Sequence, residues 1–287
     1  MSRETLDKSS CCIIYNNNAG RRDNEKKARK LSRKLGQVEV FPIGEYGREE
    51  VSDHKIQIIF SGDGTINSIA RSVLESEKQP FIVLAGGGSE NQLLRTLKLK
   101  KHTIKTSDLF SVDELEKRTS EYRPAVIDGY GEFLVNGGFG KIETAWAKNH
   151  EEARRVMPTF IASYYSYLKG LFQLYPNLTF NMVLINNPTA SLKLPKDAKV
   201  SEEELLEIEI QGKPLTRFFK AILAPFLWKT GIPIPKRVLK TTVATELNID
   251  SEKGDIFTVD GECVVGNDNK LTVKRSREHL RLLALKS

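Results

Sequence analysis

The sequence predicts an α/β plus β chain, with a parallel α/β domain at the N-terminus and an antiparallel, sandwich-like β domain after it. Short apolar runs without alternation recur early, CCIIY at 11–15, IQIIF at 56–60 and FIVLA at 81–85, and glycine-containing turns follow them. Later segments behave differently. Leu206, Ile208 and Ile210 alternate with polar residues, as do Thr245, Leu247 and Ile249, the pattern of a half-buried antiparallel sheet. The length of 287 residues, with 39% hydrophobic and 28% charged content, allows one large or two ordinary globular domains.

Taken in order, 11–15 reads as the first strand and the NNNAG segment at 16–20 as a turn. Residues 21–35 carry eight Lys or Arg against Asp23 and Glu25, with Ala28, Leu31 and Leu35 as an apolar stripe, which predicts an amphipathic helix with a basic, solvated outer face. Residues 38–41 form a second strand and 42–54 a loop. A basic connector with Lys98, Lys100, Lys101, His102 and Lys105 then leads out of the α/β pattern, and the predicted domains are 1–110, rejoined by 275–287, and 111–274. In the second domain, 124–127 and 133–135 read as a hairpin around Gly129 and Gly131. Residues 151–172 read as one long helix whose aromatics, Tyr164 to Phe172, are expected in the core, with the lining of a lipid slot as the alternative. Strands are expected at 178–185, 205–210, 243–249, 256–259 and 271–273.

The chemistry concentrates in residues 55–71. Ile56 to Phe60 end in Ser61, Gly62, Asp63, Gly64 and Thr65, and Ile66, Ile69, Ala70, Val73 and Leu74 then fall at helical spacing. A glycine-rich turn between a strand and a helix gathers backbone N–H groups and the positive end of a helix dipole where phosphate binds. A carboxylate beside phosphates repels them unless it holds a cation, so Asp63 implies Mg²⁺. A second turn of this kind, Gly86, Gly87, Gly88 and Ser89, follows the run at 80–85, with Ser89 placed to cap a helix beginning near Glu90.

These residues carry a resemblance. Ser61 to Asn67 (SGDGTIN) resembles the GGDGTxNE motif of the diacylglycerol kinase catalytic-domain family, which includes bacterial lipid kinases and sphingosine kinases and shares a superfamily with NAD kinases. Gly88 to Gln92 resembles its GTxND motif, Asn16 to Gly20 its NPxSG turn, and NGGFG at 136–140 its central N-x-x-G-x-G segment. Asp260, Gly261 and Glu262 match its late DGE motif, and the set runs in family order over residues 13–264. The resemblance implies an NAD kinase-like nucleotide domain, a β-rich lipid domain with the active site in the cleft, and a C-terminal return to the first domain. It implies ATP and Mg²⁺ as cofactors and transfer of the γ-phosphoryl to a hydroxyl of diacylglycerol, a long-chain base or a related lipid.

Walker A, HRD and DFG motifs are absent from the sequence. Nucleotide binding is therefore expected at Asn16, Gly20, Ser61, Gly62, Asp63, Gly64, Thr65, Asn67, Gly88 and Ser89, with Asp63 on the metal. Asp260 is the expected general base and Glu262 its partner, or the base itself; two residues apart on a strand, they would share a face. A strand ending in a turn has the same local pattern. Two departures matter: Ser68 stands where the motif has Glu, and Gln92 where it has Asp. They support a catalytically silent nucleotide- or lipid-binding relative. NAD kinase shares the GDGT turn, but LINNP at 184–188 lacks the Asn-Glu dipeptide that family uses for its nucleotide substrate.

A net charge of +7 favours an anionic partner, and a nucleic-acid role would rest on that charge alone. The aromatic and basic stretch at 217–240, with Phe218, Phe226, Trp228, Lys229 and Arg237, suits contact with an anionic membrane surface; an ordinary helix packed on the β domain fits it equally. Cys11, Cys12 and Cys263 show no disulfide or zinc spacing, and the four histidines are read as surface or incidental. MSRETLDKSS has no apolar core and no run reaches the ~18 residues of a membrane span, so a cytoplasmic, peripherally membrane-associated chain is expected, free to form a homodimer.

Overall fold

The computed structural model describes residues 5–18, 23–46, 53–74, 76, 78–86, 99, 102–134, 136–153, 155–185, 203–230, 238–260 and 262–286. The chain divides into Met1–Pro124 with Arg277–Ser287, and Ala125–Ser276.

In the first unit the early apolar runs become parallel strands: β1 (Cys11–Tyr15), β2 (Glu39–Pro42), β3 (Ile56–Phe60) and β4 (Phe81–Leu84), in the order β2-β1-β3-β4. Ile13 lies between Val40 and Ile58 in register. β3 and β4 are buried at every residue, because helices cover both faces of such a sheet and no polar alternation is needed. Helix α1 (Asn24–Lys34) buries Ala28 and Leu31, which join Ile13, Ile56, Ile58 and Val83 in one core, while its lysines and arginines face water. Helix α2 (Asp63–Leu74) buries Ile66, Ile69, Ala70 and Val73.

The last strand, β17 (Leu280–Leu285), enters this sheet between β4 and β5 (Thr103–Ile104), parallel to both. The N-terminal half of β17 also pairs antiparallel with β6 (Ser120–Tyr122), which follows helix α3 (Val112–Arg118). The sequence drew the domain boundary at residue 110; the unit runs on to Pro124 because Leu115 packs in its core and β6 hydrogen-bonds to β17. His54 is buried rather than incidental: Nε2 lies 3.4 Å from Glu39 Oε2 and the ring tilts on Phe41.

The second unit holds two antiparallel sheets. One is four-stranded, ordered β13 (Glu246–Asp250), β16 (Lys270–Arg275), β7 (Ala125–Ile127), β8 (Gly131–Phe133). The other is six-stranded, ordered β12 (Lys240–Ala244), β11 (Leu205–Glu209), β10 (Asn181–Leu184), β9 (Asn136–Phe139), β14 (Ile256–Val259), β15 (Glu262–Val265). The stretch read as one strand at 243–249 is two: the chain changes sheet at Thr245, as strands do at sandwich corners.

Helix is richer here than expected. The long helix read at 151–172 is α4 (Lys141–Ala153) and α5 (Thr159–Leu174), with Pro158 entering α5. Helix α6 (Pro214–Thr230) continues through Pro225. Ile142, Leu171, Leu184, Leu206, Ile208 and Ala221 form the shared core of these helices and strands β10 and β11. Among the described residues, no helix is long and apolar enough to cross a membrane.

Candidate active site

The strand order β2-β1-β3-β4 reverses direction between β1 and β3. The chain leaves β1 toward one edge and leaves β3 toward the other. A crevice therefore opens beyond the carboxyl ends of these two strands, the place where open α/β sheets bind ligands. The expected turns after β1 and β3 both sit there.

Asn16 ties the two turns together. Its backbone N–H donates to Phe60 O at 3.0 Å, and its carbonyl accepts from Asn24 Nδ2 at 2.8 Å. Its side chain donates through Nδ2 to Thr65 Oγ1 at 2.8 Å and accepts at Oδ1 from Asn18 N at 2.9 Å. Asn17 caps α1 from outside, accepting from Glu25 N at 3.0 Å and donating to Glu25 Oε2 at 3.2 Å. Asn16 and Asn17 thus brace the site, since their amides both donate and accept.

Helix α2 begins at Asp63, not after Thr65, so Gly62, Asp63 and Gly64 belong to its entry and first turn. Its first internal bond runs from Ile66 N to Gly62 O at 3.2 Å. The N–H groups of residues 63–65 precede that bond and have no partner within the helix, and the dipole makes their end electropositive. Ser61 is 1% exposed and its Oγ has no hydrogen-bond partner among the described residues. A buried hydroxyl left unpaired is costly, and a phosphate oxygen would satisfy it. Thr65 Oγ1 accepts from Asn16 and keeps its own proton to donate. Asn67 is buried one turn further on. These residues fit a phosphate group. Of Asp63 and Gly64 the structure describes the backbone alone; Gly20, Gly88 and Ser89 lie outside the described residues.

In the second unit, Val259 pairs with Glu262, so the chain turns between β14 and β15 directly after Val259, with Asp260 the first residue of the turn. Asp-Gly is the favoured sequence for such a loop, whose first residue takes positive φ, and Asp260 has φ 50°. Asp260 and Glu262 therefore do not share the face of one strand: the first is in the turn and the second opens β15. The Asp260 carboxylate is held by Leu134 N, which donates to Oδ2 at 2.6 Å. Gly261 and the Glu262 side chain lie outside the description.

The NGGFG segment forms β9 at the middle of the six-stranded sheet and leads through Gly140, at φ 96°, into α4. A Cβ on Gly138 would lie 2.7 Å from both Glu143 Cδ and Thr258 Oγ1. The missing side chain is what lets Glu143 lie against the sheet, where Thr258 Oγ1 donates to its Oε2 at 3.1 Å. Burial pushes the Glu143 carboxyl up to about 7, only partly offset by that hydrogen bond. Sequence reasoning missed this acid. A Glu in the first turn of a helix ordinarily reads as a capping charge; the signal was the NGGFG run just before it.

Residues 10–121 match the family model of the diacylglycerol kinase catalytic domain. Over the whole chain the fold resembles the crystal structure of a diacylglycerol kinase from Bacillus anthracis Sterne, with TM-score 0.63, 15% identity, and 99% of this chain and 97% of that one covered. A protein of the same organism provisionally named a diacylglycerol kinase matches with TM-score 0.64 and 15% identity, covering 99% and 98%. No curated protein matches the chain by sequence. Residues 10–121 thus match the diacylglycerol kinase catalytic domain, and over its length the chain has the fold of those Bacillus anthracis proteins.

Proposed function

We propose that the chain is an ATP- and Mg²⁺-dependent lipid kinase that phosphorylates a hydroxyl of diacylglycerol, a long-chain base or a related lipid. The observation that carries this reading is the β1/β3 crevice, braced by Asn16 and Thr65 and lined by the buried Ser61 hydroxyl, unpaired among the described residues, inside a domain that matches the diacylglycerol kinase catalytic domain. ATP supplies the activated phosphoryl group. Ser61 Oγ, Thr65 Oγ1 and the N–H groups opening α2 would hold phosphate oxygens, and Asp63 would hold Mg²⁺ against them. Asp260 or Glu262 would take the proton of the lipid hydroxyl, which is a poor nucleophile while it keeps it. A chain that binds nucleotide and lipid without turnover is the second reading. Its support is the neutral Ser68 and Gln92 and the use of the Asp260 carboxylate by Leu134 N.

Incubation with γ-labelled ATP, Mg²⁺ and a lipid extract tests the proposal: a labelled lipid is expected, and labelled NADP alone would mean NAD kinase. Asp260→Asn keeps an acceptor for Leu134 N and tolerates positive φ, so it should fold and bind ATP while losing about 10²–10⁴-fold in turnover. An active Asp260→Asn beside a dead Glu262→Gln would assign the base to Glu262. No turnover by wild type on any lipid or on NAD would leave the second reading.

A further inference from the structure

The aromatic residues expected in the core of α5 are in part on its outside. Ile161, Tyr164, Tyr165, Phe172 and Tyr175 are exposed, Phe172 by 67%, and they repeat at three- and four-residue intervals down one face. The opposite face is the one that packs: Ala162, Ser166 and Leu171 are buried, and Gly170 lies against Ala145 of α4. Helix α6 repeats the division. Ala221 is buried and Phe218 packs on the core, while Leu215, Phe219 and Leu223 are exposed, Phe219 by 61%. The two stripes meet through Phe218, whose ring lies edge-on to Phe172 at 5.1 Å, Tyr175 at 5.6 Å and Phe219 at 6.0 Å. Contiguous apolar surface on two adjacent helices marks a contact site, since water alone does not stabilise it.

Charge points to the occupant. Neither 153–196 nor 211–240 contains an Asp or Glu, so every charged residue of these stretches is Lys or Arg. Lys213 is exposed at the start of α6, and Lys220 on α6 donates to Gln211 O. Lys169 lies on α5, with Glu152 of α4 3.9 Å away. Arg217 is spent internally, donating to Leu178 O and Gly212 O, and fixes the start of α6. Amphipathic helices with aromatic and leucine residues on one face, and lysine as the accompanying charge, seat their apolar face at the boundary of headgroups and acyl chains.

We propose that α5 and α6 form a docking face for an anionic lipid bilayer. The inference rests on the lipid-kinase reading for its purpose, since a hydroxyl acceptor with acyl chains resides in a bilayer. It moves the expected contact from 217–240 to the paired helices; the side chains of Phe226 and Trp228, in that stretch, lie outside the described residues.

The test uses the full chain and vesicles of equimolar phosphatidylserine and phosphatidylcholine, without ATP or a phosphoryl acceptor. Wild type should cosediment, less so as salt rises, and only weakly with phosphatidylcholine alone. Phe172→Ser with Phe219→Ser should reduce bound protein by about tenfold or more. Tyr164→Ser with Tyr165→Ser, farther along the stripe and away from the Phe218 cluster, should also reduce it, with circular dichroism checking both folds. Wild type that ignores anionic vesicles, or folded variants that bind as well as wild type, overturn the proposal. So does a monomer–dimer equilibrium that the same variants abolish, which would assign the face to a second copy of the chain. Because no turnover is measured, docking without kinase activity would sink the kinase reading alone, and kinase activity without docking would sink this one alone.

Discussion

Glu143→Gln should make the protein more stable above neutral pH and leave it nearly unchanged at pH 4 and below. The Glu143 carboxyl is buried against Gly138 and Thr258, and its pKa is raised from an ordinary 4.5 to about 7. The folded state therefore binds the proton more tightly than the unfolded chain does. Between those two values the native state holds more protons, so stability falls as pH rises from about 4.5 through about 7, and the loss is complete above that. Each tenfold gain in proton affinity on folding corresponds to about 1.4 kcal/mol, so the charged carboxylate costs about 3 kcal/mol at pH 8 relative to its neutral form. Glutamine keeps the volume and the acceptor for Thr258 Oγ1 but carries no charge. Urea unfolding of wild type and Glu143→Gln at pH 4 and pH 8 reads the difference directly, because every other titrating group is common to both. The two should nearly coincide at pH 4, and the variant should be about 1–3 kcal/mol more stable at pH 8. Parallel pH profiles, or a variant weaker at pH 8, would refute the reasoning and mean that the carboxylate is stabilised by charge it faces in the fold.

The site and the packing offer further tests. Gly138→Val should cost about 1–3 kcal/mol in urea unfolding, because its Cβ would start 2.7 Å from Glu143 Cδ and Thr258 Oγ1. A neutral Gly138→Val would show that α4 can shift away from β9. Ser61→Ala should be neutral, or stabilising by about 1 kcal/mol, in the nucleotide-free protein, since it removes a buried hydroxyl without a partner among the described residues. The same substitution should weaken ATP binding in calorimetric titration; unchanged affinity would take Ser61 out of the phosphate site. Cys263 is exposed, whereas Cys11 and Cys12 are buried and Cys11 is pushed up to about 12 by desolvation. One thiol per native chain should therefore react with a disulfide reagent and three after unfolding; fast reaction of two or more natively would contradict the buried β1.

The parallel domain was legible in the sequence because its signals are local. A β-branched run buried on both faces, a glycine turn and a helical stripe each need only a short window, so β1, β3, β4, α1 and α2 could be read directly from the chain. The Asp-Gly pair marked a turn for the same reason, since only a few residue types accept positive φ there. Other features depended on distant partners. The pairing of β17 with β4 joins residues about two hundred positions apart and leaves no periodicity behind. The Asn16–Thr65 bond joins the turn after β1 to the first turn of α2, which only the register of β1 on β3 brings together. Nothing in the sequence around Glu143 marks it as buried; the close approach of α4 to Gly138 does that. The stripe on α5 shows the limit most plainly. Helical spacing of apolar residues specifies that a face exists, while which of two apolar faces is buried depends on where α4 and α6 pack, and that is settled by tertiary contacts alone.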